Sequence, residues 1–234
     1  MISWLLVMLS ITGIGVVAWG AFHIRGNFFL KAIHRGDATN RQIALTFDDG
    51  PHPIYTPEVL KLLGRYNAKA TFFCIGKNVM QHSEIVREIH AGGHVVGNHS
   101  YSHASTIDFK GTNGWLEELQ QTDAVIMQAI GRRPRFFRPP YGVTTPHLAS
   151  AIRTSGHRVI GWRVRPYDTL GSRSPARIVR TILRKVKPGA IILLHDTHNR
   201  IVPVLEQLLP ELRQHGYTLV TVAELIDKNG YTET

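Results

Sequence analysis

Gln42-Ile43-Ala44-Leu45-Thr46-Phe47-Asp48-Asp49-Gly50 decides the fold. A short apolar run ends in two carboxylates and a glycine. Residues 42–47 read as a strand, and Asp48-Asp49-Gly50 as the turn that closes it. An amphipathic helix over residues 56–66 follows, with Thr56 as its N-cap and Pro57 at the first helical position. The same alternation continues down the chain. Further strands are expected at 70–75, 94–98, 135–138, 158–164, 190–195 and 218–222. Amphipathic helices are expected at 84–91, 115–130, 146–155, 175–186 and 202–215. Strands alternating with helices predict an α/β fold of parallel βα units, as an open sheet or a barrel of about seven strands.

The unusual polar residues fall at or just beyond the carboxyl ends of these strands. Asp48 and Asp49 follow the first and His99 the third. Arg138 ends the fourth, Asp168 comes after the fifth, and His195 ends the sixth. Parallel sheets and barrels build their sites at that edge, so these residues are expected to converge.

Each group has an ordinary reading and a chemical one. Asp48-Asp49-Gly50 fits a polar turn. Carboxylates beside a buried strand end also need a metal, an arginine or a proton to compensate them. His99-Ser100-Tyr101-Ser102-His103 places two histidines on one face of a helical turn. With 13 histidines in the chain, such a pair can arise by chance. Joined by one carboxylate, it makes a two-nitrogen, one-oxygen set with an open position, as in catalytic zinc sites. Arg138-Pro139-Pro140-Tyr141-Gly142 is a rigid turn carrying a charge that can hold a carboxylate ionised. His195, after the apolar run 191–194, is either a satisfied core histidine or a proton donor to a leaving amine.

Taken together, Thr46-Phe47-Asp48-Asp49-Gly50, His99-Ser100-x-x-His103, Arg138-Pro139-Pro140-Tyr141-Gly142 and Leu193-x-His195-Asp196 resemble the NodB-like polysaccharide deacetylases, the fourth carbohydrate esterase family. The resemblance runs from about Ile43 to about Leu225. It implies a distorted (β/α) barrel. It implies Asp48 as general base, Asp49, His99 and His103 as ligands of one divalent metal ion, zinc by preference, and Arg138 as the group that orients and tunes Asp48. It further implies the Tyr141 N–H as an oxyanion donor, His195 as general acid tuned by Asp168, and Leu193 as part of the acyl pocket. One motif departs. Where the family often shows Asp-x-x-Asp-Trp, this chain has Arg165, Asp168 and Thr169. The resemblance implies an N-deacetylase acting on an N-acetylated sugar in a polysaccharide or a lipid-linked glycan. A deformylase of a polyprenyl-linked amino sugar is a variant, and an inactive carbohydrate-binding module is the alternative of another class.

Residues 2–22 carry no charged side chain and are long enough to cross a bilayer, with Trp4 and Trp19 near the ends. Residues 1–22 are therefore expected as a transmembrane anchor or a signal segment. Residues 23–40 follow as a linker, 41–227 as the catalytic domain and 228–234 as a tail. The expected location is a bacterial inner membrane, single-pass. Arg25, Lys31, Arg35 and Arg41 after the helix lean the domain towards the cytoplasm, with secretion or a periplasmic domain left open.

The net charge is +10, yet no nucleic-acid recognition motif stands behind it, and no nucleic-acid partner is expected. Between Arg177 and Lys187, Ile178, Ile182 and Val186 recur at helical spacing, with cations on the other faces. That face would suit acidic head groups if the domain sat at a membrane. Cys74, the single cysteine, sits in an apolar run and reads as a small buried hydrophobe.

Overall fold

The computed structural model describes residues 2–232, with the side chains of residues 2, 3 and 5–11 excepted. Eight parallel strands form one curved sheet: β1 (Ala32–Ile33), β2 (Gln42–Asp48), β3 (Ala70–Cys74), β4 (Val95–Asn98), β5 (Phe136–Phe137), β6 (Arg158–Ile160), β7 (Ile191–His195) and β8 (Thr218–Leu219). Their order is β1-β6-β5-β4-β3-β2-β7, with β8 also paired to β2. The sheet comes round on itself where Val164, just past β6, bridges Ile192 in β7. The result is a distorted barrel.

The helices are α1 (Ile2–Phe22), α2 (Tyr55–Arg65), α3 (Gly76–Gln81), α4 (Ser83–Ala91), α5 (Thr112–Ile130), α6 (Pro146–Ser155), α7 (Pro175–Lys185), α8 (Ile201–Gln214) and α9 (Val222–Leu225). Local chemistry sets several of their ends. The Thr145 hydroxyl accepts the Leu148 N–H ahead of Pro146 at the start of α6. The next residue after α6, Gly156, takes a left-handed conformation (φ 76°) and ends it.

The strand period explains the layers. In β2, Ile43, Leu45 and Phe47 join the main apolar core. The alternate residues Ala44, Thr46 and Asp48 face the other way, into the barrel. Cys74 is buried in the main core, as a small hydrophobe should be. On α7, Ile178, Val179 and Ile182 are buried beneath the cations.

Several expectations are corrected. Strand 158–164 is interrupted: pairing stops at Ile160 and returns only at Val164, because Arg138 takes the carbonyls of Ile160 and Gly161. Residues 23–40 contribute β1, which pairs with β6. The tail is tied down at Tyr231, whose hydroxyl accepts the Val96 N–H at 3.0 Å; residues 233–234 lie outside the described residues. Thr56 does not cap its helix, which begins at Tyr55. Its hydroxyl is instead buried against Asp196.

The transmembrane anchor and the inner-membrane location are corrected as well. Among the described residues, no helix is long and apolar enough to cross a membrane. Part of the expected anchor lies outside the described side chains. The end of α1 is engaged with the domain: the Ala21 carbonyl accepts the Thr144 N–H at 2.9 Å, and the Gly20 carbonyl accepts the Thr144 hydroxyl at 3.3 Å.

His94, just before β4, is buried with its Nδ1 accepting the Ala70 N–H at 3.1 Å. Burial, and then the charge of Lys69, lower its pKa from 6.5 to about 4. A folded-state value below the unfolded one means that the unfolded chain binds the extra proton first. Stability is therefore full above about pH 6.5 and lost as pH falls towards 4. The gap corresponds to on the order of 3 kcal/mol. Urea unfolding between pH 7 and 4 is expected to show this slope, and His94→Gln, which keeps an acceptor, is expected to flatten it. An equal slope in both proteins would contradict it.

Candidate active site

The carboxyl ends of β2, β4, β5 and β7 open on one rim. The structure brings Asp48, Asp49, His99, His103, Tyr141, Leu193 and His195 to the wall of one cavity there, of about 180 Å³. Arg138 and Asp168 stand behind that wall, both fully buried. Every site residue singled out from the sequence is thus in or beneath this pocket.

Arg138 is the deepest of them. Its Nη1 donates to Asp48 Oδ1 (2.6 Å) and Thr46 Oγ1 (2.7 Å), its Nε to the Ile160 carbonyl (3.1 Å) and its Nη2 to the Gly161 carbonyl (3.0 Å). The guanidinium also lies over the Phe73 ring, 4.2 Å from its centroid. Burial lowers the Arg138 pKa, and the Asp48 carboxylate beside it works the other way. Asp48 has its second oxygen left over. That atom, Oδ2, lies 3.8 Å from His99 Nε2, on the side of the histidine pair.

Asp49, one residue on, points to the same place. Its Oδ1 is 3.3 Å from both His99 Nε2 and His103 Nε2. The three ligand atoms lie within 4.8 Å of one another. The His99 Nδ1 donates to the Arg138 carbonyl at 2.7 Å, which leaves the Nε2 lone pair free for a metal. Burial, with His99 alongside, lowers the His103 pKa and favours its ligating neutral form. Burial would raise the Asp49 pKa, but the imidazoles around it, His99 first and then His195 and His103, bring it down to about 2. Two imidazoles and a carboxylate at this spacing, open towards a cavity, fit a divalent metal of the zinc type.

The two histidines do not sit on a helical turn as expected. Residues 99–103 form an irregular loop in which Ser100 (φ 64°) and His103 (φ 48°) are left-handed. Asp49 (φ 73°) and Tyr141 (φ 57°) share that conformation. Such backbone is costly for non-glycine residues and persists only where neighbours over-determine it. Glu118 on α5 is the main restraint. Its carboxylate accepts the N–H groups of Tyr101 (2.9 Å) and Ser102 (2.8 Å) and the Ser102 hydroxyl (2.7 Å). Asn98 accepts the Ser100 N–H, and Asn78 donates to the Asp49 carbonyl.

Across the pocket, His195 Nδ1 donates to Asp168 Oδ1 at 3.1 Å, and its Nε2 is 4.0 Å from Asp49 Oδ2. Burial opposes the His195 cation. The hydrogen bond and charge of Asp168 outweigh it and raise the pKa to about 9. Burial would likewise raise Asp168, yet hydrogen bonds from His195 and His198 hold it well below the usual carboxylate range.

Sequence reading missed Glu118, Asn98 and His198, whose local patterns do not set them apart, and it gave Asp196 a place in a motif but no role. The short spacing from Ser102 to Glu118, with Lys110 between them, becomes a contact only once α5 packs behind the loop. Asp196 is held above the usual carboxylate range, at about 7, chiefly by burial. It lies against Gly50, where a Cβ would come within 2.7 Å of both its carboxylate oxygens, so the turn after Asp49 requires glycine. Thr169 and Arg165 line the pocket in place of the departed motif residues. Trp162 lines it too, with its ring so close to Gly142 that a Cβ there would overlap it.

A family model for polysaccharide deacetylase matches residues 35–160. The peptidoglycan-N-acetylglucosamine deacetylase PgdA of Listeria monocytogenes is 36% identical over 187 residues, which are 80% of this chain and 39% of that protein. The chain therefore spans well under half the length of that curated relative. Among solved structures, the Bc1960 peptidoglycan N-acetylglucosamine deacetylase matches with a TM-score of 0.81 at 30% identity, over 85% of this chain and 94% of that one. A family 4 acetyl xylan esterase from Clostridium thermocellum, in complex with a cobalt ion, matches with a TM-score of 0.72 at 34% identity, over 79% and 89%.

Two outcomes follow from this geometry. Arg138→Met leaves Asp48 buried without its partner and is expected to cost about 3–5 kcal/mol in urea unfolding, part of which Asp48→Leu in the same chain restores. A loss under about 1 kcal/mol would contradict the pairing. Glu118→Gln is expected to weaken zinc binding by about 10–100-fold in a competition titration, since the ligand loop loses its charged anchor. Unchanged affinity would show that the loop holds itself.

Proposed function

The chain belongs to the polysaccharide deacetylase family, and on that premise we propose that it is a metal-dependent N-deacetylase that hydrolyses the acetamide of an N-acetylated sugar in a glycan. The observation that carries this reading is the division of labour between adjacent carboxylates. Asp49 Oδ1 lies 3.3 Å from two imidazole nitrogens, while Asp48 Oδ1 is bound to Arg138 and its Oδ2 is left free beside them. Two carboxylates let one hold the metal while the other, undiminished in basicity by the ion, accepts a proton.

Asp49, His99 and His103 are the residues that would hold the ion. When bound, zinc would polarise the amide carbonyl and bring the pKa of a water towards about 7. Asp48 accepts the proton of the attacking water as general base. The Arg138 contact supports that role, because it holds the carboxylate through Oδ1 and leaves Oδ2 to accept the proton. The Tyr141 N–H, on a backbone held at positive φ, donates to the oxyanion. His195, kept protonated up to about pH 9 by Asp168, gives its proton to the leaving amine. Leu193 and Trp162 line the space for the acyl methyl, with Thr169 on the same wall.

Residues 41–227 make the catalytic unit, with β1 added from the segment before it. The substrate is a glycan of N-acetylated amino sugars, either a polymer such as peptidoglycan or chitin-like oligosaccharide, or a lipid-linked sugar. The peptidoglycan substrate in the Listeria relative's name makes that polymer the first to test.

Acetate release from peptidoglycan and from N-acetylchitooligosaccharides tests this directly. Zinc-loaded protein is expected to turn over at least one of them, and a chelator to abolish turnover. Asp48→Asn is expected to lose at least about 100-fold in kcat while still binding one zinc. His103→Ala is expected to lose the zinc itself. Turnover that survives chelation would refute the metal mechanism, and full activity in Asp48→Asn would refute the base.

A further inference from the structure

Beside the catalytic pocket lies a larger cavity of about 510 Å³ with a cationic wall. Arg25, Arg163, Arg165, Arg184, Lys185 and Lys187 line it. They come from three separate places: the turn after α1, the stretch after β6, and the end of α7 with the residues beyond it. Trp162 and Arg165 line both cavities, so the two adjoin at that pair.

Among the described residues, none of these six cations forms an ion pair with a carboxylate. Like charges gathered without a counter-charge repel one another, and such a cleft concentrates field on an incoming anion. Arg165 is held there by aromatic faces, 5.4 Å from the Trp162 centroid and 5.1 Å from that of Tyr167. His34 feels the same field. Burial first, and then Arg25, Arg138 and Arg163, push its pKa down to about 4, against a backbone hydrogen bond with Ile24. Arg165 also stands where the resembled motif has an aspartate, so the charge at the shared rim is inverted.

We propose that this cavity binds a phosphoryl group carried by the glycan substrate, next to the sugar whose amide is cleaved. The proposal rests on the deacetylase reading. A lone carboxylate would leave most of the positive charge unbalanced. A phosphoryl group carries roughly −1.5 to −2 near neutral pH and presents three acceptor oxygens to guanidinium forks. The site is therefore specific for a glycan with phosphate or diphosphate on or beside the acylated sugar, whether a phosphorylated polymer or a sugar joined to its carrier through diphosphate.

The test pairs binding with turnover, using the full zinc-loaded chain. Pyrophosphate titrated calorimetrically is expected to bind saturably. The double variant Arg184→Glu/Lys187→Glu, both exposed positions, is expected to weaken that binding at least tenfold. Arg184→Ala/Lys187→Ala serves if charge reversal disturbs folding. His103→Ala, which lacks the metal ligand, is expected to keep pyrophosphate binding, which separates the cavity from the metal. An N-acetylchitooligosaccharide bearing a terminal phosphate is expected to show at least tenfold higher kcat/KM than the neutral one, through KM, and the double variant is expected to erase that preference. Pyrophosphate binding that the double variant leaves unchanged would overturn the proposal. So would equal kcat/KM for the two oligosaccharides, which would leave a site for free phosphate alone. Pyrophosphate binding without turnover of any glycan would instead break the deacetylase reading and leave the anion cavity standing.

Discussion

The fold and the pocket both depend on one buried contact, that between Arg138 and Asp48. A guanidinium with no solvent exposure sits inside the barrel, 2.6 Å from a carboxylate that is itself buried. Taking both charges out of water costs several kcal/mol per ion, and the pair is tolerable only if its remaining hydrogen-bonding groups are satisfied. The Thr46 hydroxyl and the carbonyls of Ile160 and Gly161 do so. Those carbonyls are drawn from a strand that would otherwise pair with its neighbours. The interruption of β6 at Ile160 is thus the structural counterpart of the buried charge. It also turns Trp162 onto Gly142 and into the pocket wall before the chain rejoins the sheet at Val164.

From this contact the rest of the site is arranged outward. Asp48 is fixed through one oxygen, so its neighbour Asp49 is the carboxylate free to face His99 and His103. Arg138 serves His99 as well, through its main-chain carbonyl, which sets the tautomer. The loops that bring these groups together run through four non-glycine residues at positive φ. Strain of that kind is stored where side chains from other elements pin the backbone, and Glu118, Asn98 and Asn78 do so here. On the far wall, Asp168 accepts from both His195 and His198. Its buried charge keeps one imidazole cationic against the desolvation that would discharge it.

Much of this was legible in the sequence. Strands β2, β3, β4 and β7 are short apolar runs with polar residues at their carboxyl ends, and their bounds fall within a residue or two of expectation. Helix α6 was legible to the residue, its amphipathic span 146–155 matching Pro146–Ser155. The parts that were not legible have physical causes. Ala32–Ile33 is too short to carry a period, so β1 lay hidden in the expected linker. Thr56 has the chemistry of a cap, but its hydroxyl is claimed by Asp196 across the fold. The His99–His103 spacing suits a helix, yet the carboxylate of Glu118 captures the backbone N–H groups in another conformation. The apolar run at the start of the chain suggested a membrane span, whereas the carbonyls at the end of that helix are engaged by Thr144. Long-range hydrogen bonds of this kind leave no local pattern to read.

The central claim is that one of two adjacent carboxylates holds the metal and the other, locked to Arg138, does not. A crystal structure of the zinc-loaded chain, with the ion located by anomalous scattering, tests it most directly. The account predicts one zinc about 2.0–2.2 Å from an Asp49 oxygen, His99 Nε2 and His103 Nε2, with Asp48 outside the coordination shell and still paired with Arg138. Zinc ligated by Asp48, or bound away from the histidine pair, would contradict it.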